Sequence, residues 1–405
     1  MVKPHFQDDS LNRPTEKQTI RQPGKAVQNY KPLVAHKPEV NFDGLDIEIT
    51  SDVLDGPLPD WNEILENWGF DPEYYEATDP IKVSQWDAIH EGEVKTFYSY
   101  KGTIRLKTGV KDFDYKDLVN EIKKHRKLNK NLPSGDQAFV VCLSDWQIAK
   151  ADGDGTEGTV RRILDMIDNV EERIRDLRKI GRDLGTLVVV GLGDIVESCD
   201  GQYNTQTFTV ELNRREQTRI ARRLVRDAIC RWSKMFKDVI VTAVPGNHGE
   251  NRKNGRLFTT PGDNDDVAIF EAVCEILSAN PEAYGHVNFF LPEDETSVTL
   301  ELVGHRVGFA HGHIAGGSGS PQQKIRGWWK DQAFCNTLVG SAKLLITGHY
   351  HHFSIIEYDM DKVHIQCPAM DGGSDWWKDK TGEHSRPGTL TFVLDHAGYR
   401  DIEII

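Results

Sequence analysis

Val239-Ile240-Val241-Thr242-Ala243-Val244-Pro245-Gly246-Asn247-His248-Gly249-Glu250 is an apolar, β-branched run that ends abruptly in polar side chains of the metal-ligating kind. Its composition reads as a buried strand followed by a tight turn. The chain repeats this design four more times. Phe139 to Leu143 leads into Asp145-Trp146-Gln147, and Leu187 to Val190 into Gly193-Asp194. Val307 to Ala310 leads into His311-Gly312-His313, and Leu344 to Thr347 into Gly348-His349-Tyr350-His351. Loops leaving the carboxyl ends of strands in an open α/β sheet gather at one edge. As strands of a central sheet, the five runs would therefore deliver carboxylates, an Asn and several His to one cleft. Oxygen and imidazole donors of this kind suit Mn²⁺, Fe or Zn²⁺ better than Ca²⁺.

Between the runs lie helical patterns, predicted over 159–182, 211–237 and 265–279. Strand–helix alternation implies a mainly parallel core sheet. After Asn288 short β runs take over, at 298–303, 306–311, 354–359, 363–367 and 389–394, with one helix near 321–340. A second sheet facing the first is expected, giving a layered α/β sandwich without internal repeats.

The amino-terminal third differs in character. Residues 1–45 carry five prolines and no periodicity, which predicts a disordered or loosely attached arm. Residues 46–110 predict a small acidic α+β module. It should hold a helix from Trp61 to Trp68, capped by Asp60 and closed by Gly69, and short strands at Ile81 to Trp86 and Val94 to Leu106 with a turn at Lys101-Gly102. Residues 111–136 predict a basic linking helix, Asp114 to Asn129, ahead of the main domain at 137–405.

The formal net charge is −14, but window 41–100 alone has fifteen acidic residues against two lysines. Window 101–135 is basic, so the global charge does not exclude an anionic substrate. No apolar stretch approaches the ~20 residues of a membrane span. Met1 to Ser10 has no secretory apolar run. The six cysteines form no Cys-x-x-Cys pair, which predicts a reduced, cytoplasmic protein.

A pair of divalent ions ~3.5–4 Å apart needs one carboxylate able to touch both. Asp194, on a turn that Gly193 makes tight, has that form. Asp145 can serve one ion, and Asn247, His311 and His349 the other. His349 and His351, two apart in extended chain, can face one cleft. His248 can stay off the metals and face a phosphate, with Glu250 available to orient it.

This ordered set resembles the calcineurin-like metallophosphoesterase superfamily, whose pattern is Asp-x-His, Gly-Asp, Gly-Asn-His-Asp/Glu, His, then Gly-His-x-His. The likeness covers about 137–405 and extends to phage-encoded and DNA-repair-nuclease-type members. It implies an α-β-β-α sandwich of two facing mixed sheets. It also implies a cofactor of two divalent ions, with Mn²⁺ favoured and Mg²⁺, Fe and Zn²⁺ open. Asp145, Gln147, Asp194 and His351 would surround the first. Asp194, Asn247, His311 and His349 would surround the second, and His248 would be the catalytic imidazole. The implied activity is phosphoester hydrolysis by in-line attack of metal-activated water. Two departures stand out. Gln147 replaces the usual His, and Gly249 separates His248 from the acid Glu250.

Basic residues near the stations point to a polyanion, and a DNA phosphodiester is the expected substrate. Arg252, Lys253 and Arg256 follow the third station. Arg326 lies beyond the fourth, and His313 is expected to face substrate. Trp146 is either a base-stacking group or a cleft wall. The arginines of helix 211–237 are either a phosphate track or a solvated face with local ion pairs. Rival readings are a phosphomonoesterase acting on nucleotides or phosphoprotein, and a non-catalytic DNA-binding or assembly module with a weakened metal site. No membrane partner is expected, and self-association stays open.

Overall fold

The computed structural model describes residues 39–43, 46–50, 53–54, 62, 65, 72, 75–90, 93–106, 115–129, 131–203, 206–253, 255–373 and 385–405. The arm up to residue 38 and nearly all of the expected Trp61 to Trp68 helix lie outside them. The chain divides into two compact units, one taking most of the chain up to Ile104 and one running from Arg105 to Ile405 together with the short segments Phe42–Asp46 and Glu73–Tyr75.

The first unit is built on a four-stranded sheet. Its strands are β1 (Glu39–Asp43), β2 (Asp46–Thr50), β3 (Tyr75–His90) and β4 (Glu93–Leu106), in the order β1-β2-β4-β3. Two expectations change here. Residues 39–43 are a strand rather than part of a loose arm, in keeping with their alternating Glu-Val-Asn-Phe-Asp pattern. Lys101-Gly102 is not a turn, because both residues pair with β2 in the middle of a long strand.

In the second unit α1 (Tyr115–Lys123) ends before the predicted Asn129. The chain leaves the helix to dock on Asn280, whose Nδ2 donates to the carbonyls of Ile122 (2.8 Å) and His125 (3.1 Å). Then follow β5 (Gln137–Leu143), α2 (Gly155–Lys179), β6 (Leu184–Gly191), α3 (Arg214–Trp232) and β7 (Asp238–Ala243). A short hairpin of β8 (Arg252–Lys253) and β9 (Arg256–Leu257) precedes α4 (Asp265–Ser278), α5 (Pro281–Tyr284) and β10 (Val287–Phe290). Strands β11 (Ser297–Leu302) and β12 (His305–Ala310) come next. The helix predicted near 321–340 is two helices, α6 (Pro321–Phe334) and α7 (Leu338–Ser341). Asn336 takes a left-handed φ of 55° there and Thr337 caps the new helix, which stops the first from continuing. The remaining strands are β13 (Leu344–Thr347), β14 (Ser354–Asp359), β15 (Lys362–Gln366), β16 (Leu390–Asp395) and β17 (Gly398–Ile404).

These strands form two mixed sheets. The first has the order β10-β7-β6-β5-β16-β17 and the second β11-β12-β13-β15-β14. Strands β5, β6, β7 and β10 run parallel, as do β12, β13 and β15. The assignment of strands to sheets departs from expectation in two ways. The run before the fifth station belongs to the second sheet rather than the central one, and the run before the fourth, expected both among the central runs and among the late β runs, also belongs to the second. Strand β16, expected in the second sheet, pairs antiparallel with β5 in the first. Strand β5 is buried, so the backbone groups along both its edges need partners, which β6 and β16 supply.

Alternation along β5 explains the layers. Phe139, Val141 and Leu143 point to a core shared with α2, α3 and α4. Ala138, Val140 and Cys142 point the other way, against Phe309, Ile346 and Ile365 of the second sheet. Leu345 turns outward to Ile325 and Trp329 of α6. The result is an α-β-β-α sandwich. Burying each large apolar side chain stabilises it by ~1.5–3 kcal/mol. The six cysteines form no disulfide. No described helix is long and apolar enough to cross a membrane.

Candidate metal centre

All five stations leave the carboxyl ends of parallel strands, three from the first sheet and two from the second. They meet at the shared edge. The backbone is unusual there. Asp145, Gln147, Asp194, His349 and His351 all have left-handed φ, between 42° and 70°. Such conformations cost on the order of 1–3 kcal/mol each and persist where the surroundings impose them. Close packing imposes them here. A Cβ on Gly246 would lie 2.2 Å from the Asp194 nitrogen, and one on Gly348 would lie 2.2 Å from Ser144 Oγ. Only glycine lets these turns approach.

Asp194 is the hub. Its Oδ1 accepts from the His248 amide (2.8 Å) and its Oδ2 lies 2.9 Å from His311 Nε2. Among the described residues, Asp194, His311 and His349 each offer a ligand atom within 4.8 Å of the others. His311 Nδ1 donates to the Leu192 carbonyl (2.6 Å), which directs Nε2 into the cluster. Asn247 Oδ1 lies 3.2 Å from that Nε2. The Asn247 amide is fixed by Gln202, whose Oε1 accepts from Asn247 Nδ2 at 3.1 Å.

The electrostatics match a cation site. Burial and the neighbouring His311 push His349 down to about 3, so its ring is the neutral, ligating form. Burial opposes charge on His311 too, but Asp194 outweighs it and pushes His311 up to about 9. A buried carboxylate that holds a proton on one imidazole beside a second, neutral imidazole is a donor set that a divalent cation can take over. The Asp194, Asn247, His311 and His349 set fits a metal ion in both chemistry and spacing.

The other half of the site is built differently. Asp145 is fully buried and accepts from the His349 amide (3.1 Å) and from Ser144 Oγ. His351 Nε2 lies 3.3 Å from Asp145 Oδ1. Gln147 is there, but its Oε1 accepts from Lys150 Nζ (3.0 Å), and Lys150 also pairs with Asp371. Asp371 Oδ1 in turn lies 3.8 Å from His351 Nδ1.

His248 faces the cluster through Nε2, 3.9 Å from Asp194 Oδ2 and 3.3 Å from Gln147 Nε2. The acid that orients it is not Glu250. His248 Nδ1 donates to the Glu197 carbonyl (3.0 Å) and lies 3.2 Å from Glu197 Oε2. Burial opposes the imidazolium, yet Glu197 and then Asp194 prevail and push His248 up to about 10. Glu250 instead accepts from His313 Nε2 (3.1 Å) and from Arg252. The extra residue Gly249 carries the acid past His248 and onto the fourth station.

The remaining expectations divide. Arg252 and His313, expected against substrate, are joined through Glu250, and His313 is 8% exposed. Lys253 and Arg256 are exposed on the hairpin. Arg326 is exposed on α6, its guanidinium 5.6 Å from the Tyr358 ring centre. Trp146 is wholly buried in the helix-side core and cannot stack on a base. On α3, Arg214 pairs with Asp265, Arg226 with Asp227 and Glu121, and Arg231 with Asp168 and Glu171. For these arginines the local ion-pair reading holds.

Four residues escaped the motif reading: Lys150, Glu197, Asp266 and Asp371. Asp266 accepts from the amides of Asp194 (2.8 Å), Ile195 (2.9 Å) and Gly246 (3.1 Å), tying two stations together. Burial, then Asp194, push it up to about 7. Of the four, only Asp371 had a visible signal, since Asp371-Gly372 follows a β run as the stations do.

The sandwich has the architecture implied by the resemblance to calcineurin-like metallophosphoesterases. Similar solved structures include a predicted phosphoesterase from Streptococcus pneumoniae TIGR4, at 13% identity over 64% of this chain and 84% of that one, with a TM-score of 0.26. Zinc-complexed Vps29 from Entamoeba histolytica is similar at 12% identity over 66% and 98%, with a TM-score of 0.27. A dimetal phosphatase from Danio rerio is similar at 13% identity over 67% and 98%, with a TM-score of 0.34. No family model and no curated protein matches the chain.

Proposed function

We propose that this chain is a binuclear metal-dependent phosphoesterase that hydrolyses phosphodiester bonds, with DNA as the substrate. The observation that carries this reading is the convergence of Asp145, Asp194, Asn247, His311, His349 and His351 on one sheet edge with His248 beside them. Divalent cations at such a site, when bound, neutralise the oxygens of a phosphate and acidify water. Asp194, Asn247, His311 and His349 would hold one, and Asp145, Asp194, His351 and Gln147 the other, with Mn²⁺ favoured by the mixed oxygen and nitrogen donors. The rest of the work falls to His248. Glu197 holds its ring through Nδ1, so Nε2 is aimed at the cluster, where it holds a proton for the leaving oxygen.

A polyanion is favoured by the surface that leaves the third and fourth stations. Lys253 and Arg256 are exposed on a hairpin whose root, Arg252, is tied through Glu250 to His313. Arg326 and Lys330 are exposed on the helix after the fourth station.

The test is hydrolysis in Mn²⁺ of a bis-aryl phosphate, an aryl phosphate, and single- and double-stranded DNA. Diester and DNA cleavage is expected, abolished by Asp194→Ala and lowered ~10²–10⁴-fold by His248→Ala. Cleavage of the monoester alone would replace this reading with a phosphomonoesterase. Metal binding without hydrolysis would leave a non-catalytic module.

A further inference from the structure

We infer that Lys150 holds the Gln147 side-chain oxygen away from the first cation position, so that the two positions load unequally and filling the weaker one requires this ammonium to release that oxygen. This rests on the two-cation reading above and adds to it the order and control of loading.

The two half-sites differ. The Asp194, His311 and His349 half is assembled, with three ligand atoms within 4.8 Å of one another. Among the described residues, no lysine or arginine pairs with Asp194. In the other half, the one side-chain oxygen that Gln147 can give a metal already accepts from Lys150 Nζ at 3.0 Å. The same ammonium pairs with Asp371, whose other oxygen reaches toward His351. Lys150 side-chain exposure is 12% and that of Asp371 is 3%, so this is an internal pair rather than a surface contact.

An ammonium has only donors and cannot share an oxygen with a divalent ion at ligand distance. Its charge also repels such an ion, and inside a protein that repulsion is screened far less than in water. Lys150 therefore competes with an incoming cation for the Gln147 oxygen. It holds the Gln147 amide with Oε1 toward the Lys150–Asp371 pair and Nε2 toward His248, so the carbonyl must be released before it can serve a metal ion. When the stem of Lys150 swings out, Asp371 loses its partner and is left to balance the incoming charge. Replacement of a neutral imidazole, the usual residue at position 147, by Gln supplies the oxygen on which this ammonium sits.

The test is calorimetric Mn²⁺ titration of the metal-stripped full chain, with metal content of the loaded protein measured independently. Wild type should bind one ion tightly and a second at least tenfold more weakly. Lys150→Met should tighten the weaker step tenfold or more and leave the tight step alone, while Lys150→Arg should keep the gap. Lys150→Met/Asp371→Asn removes the buried charge that the single change leaves unpaired, and serves if that variant misfolds. It should also narrow the gap. Two equal wild-type steps, or a weaker step unmoved in both Met variants, would overturn the inference while leaving the phosphoesterase reading intact. Failure of the wild type to bind any cation would overturn both.

Discussion

Glu197 and Glu250 put the account to work at the level of single residues. Both are buried acids near His248, but only Glu197 touches its ring. Glu197→Gln should lower kcat ~10-fold or more with little change in KM, because the imidazole loses the group that fixes its orientation. Glu250→Gln should leave kcat within about threefold, since what it loosens is the His313 and Arg252 contact. Equal losses of kcat in the two variants would contradict this division. Position in the sequence pointed to Glu250, three places past Asn247. What decided otherwise is the backbone after β6, which turns Glu197 back under the third station. That path depends on the Gln217 side chain, which accepts from the Ser198 amide and donates to the Ser198 carbonyl (2.8 Å each), a pairing that carries no motif.

Among elements, the braces behind the site matter as much as the ligands. Asp266, in the first turn of α4, satisfies three amides from two different stations. Asp266→Asn puts an amide where an acceptor is needed and leaves buried donors unmatched, which should destabilise the protein by ~2–4 kcal/mol and weaken Mn²⁺ binding. Thermal or denaturant melts and a metal titration would check both effects. The two basic elements should behave oppositely. Arg226 of α3 is 3% exposed and spent on Asp227 and Glu121, so Arg226→Ala should cost stability without altering DNA affinity. Lys253→Ala and Arg256→Ala on the hairpin should each weaken DNA binding and reduce its salt dependence by about one phosphate contact. The strands and helices of the main domain were readable because their apolar runs and helical periods are long. The split of the 321–340 helix was not, since it turns on one left-handed Asn336. Nor was the long β4, where a Lys-Gly pair mimics a turn inside a paired strand.

For the whole molecule, the consequence is that metal binding and folding are linked. The sandwich brings five strongly constrained turns together around acids and imidazoles taken from both sheets, and a bound cation stabilises only that arrangement. Mn²⁺ at ~100 times its Kd should add about 2.7 kcal/mol to folding, raise Tm by a few degrees, and lose the gain on chelation. No change in Tm on adding Mn²⁺ would show that the folded chain does not hold the ion. Two facing sheets were foreseeable from the strand count. Which sheet each station hangs from was not, because sequence order does not reveal that β16 returns to flank β5. Strand β13 pairs with β12 and with β15 in the second sheet, so the site straddles the sandwich edge. The most direct test is an anomalous difference map from crystals grown with Mn²⁺. A strong peak is expected between Asp194, Asn247, His311 and His349, and a weaker one between Asp145, Gln147, Asp194 and His351. Peaks confined to other parts of the surface, with this edge empty at saturating Mn²⁺, would contradict a metal centre there.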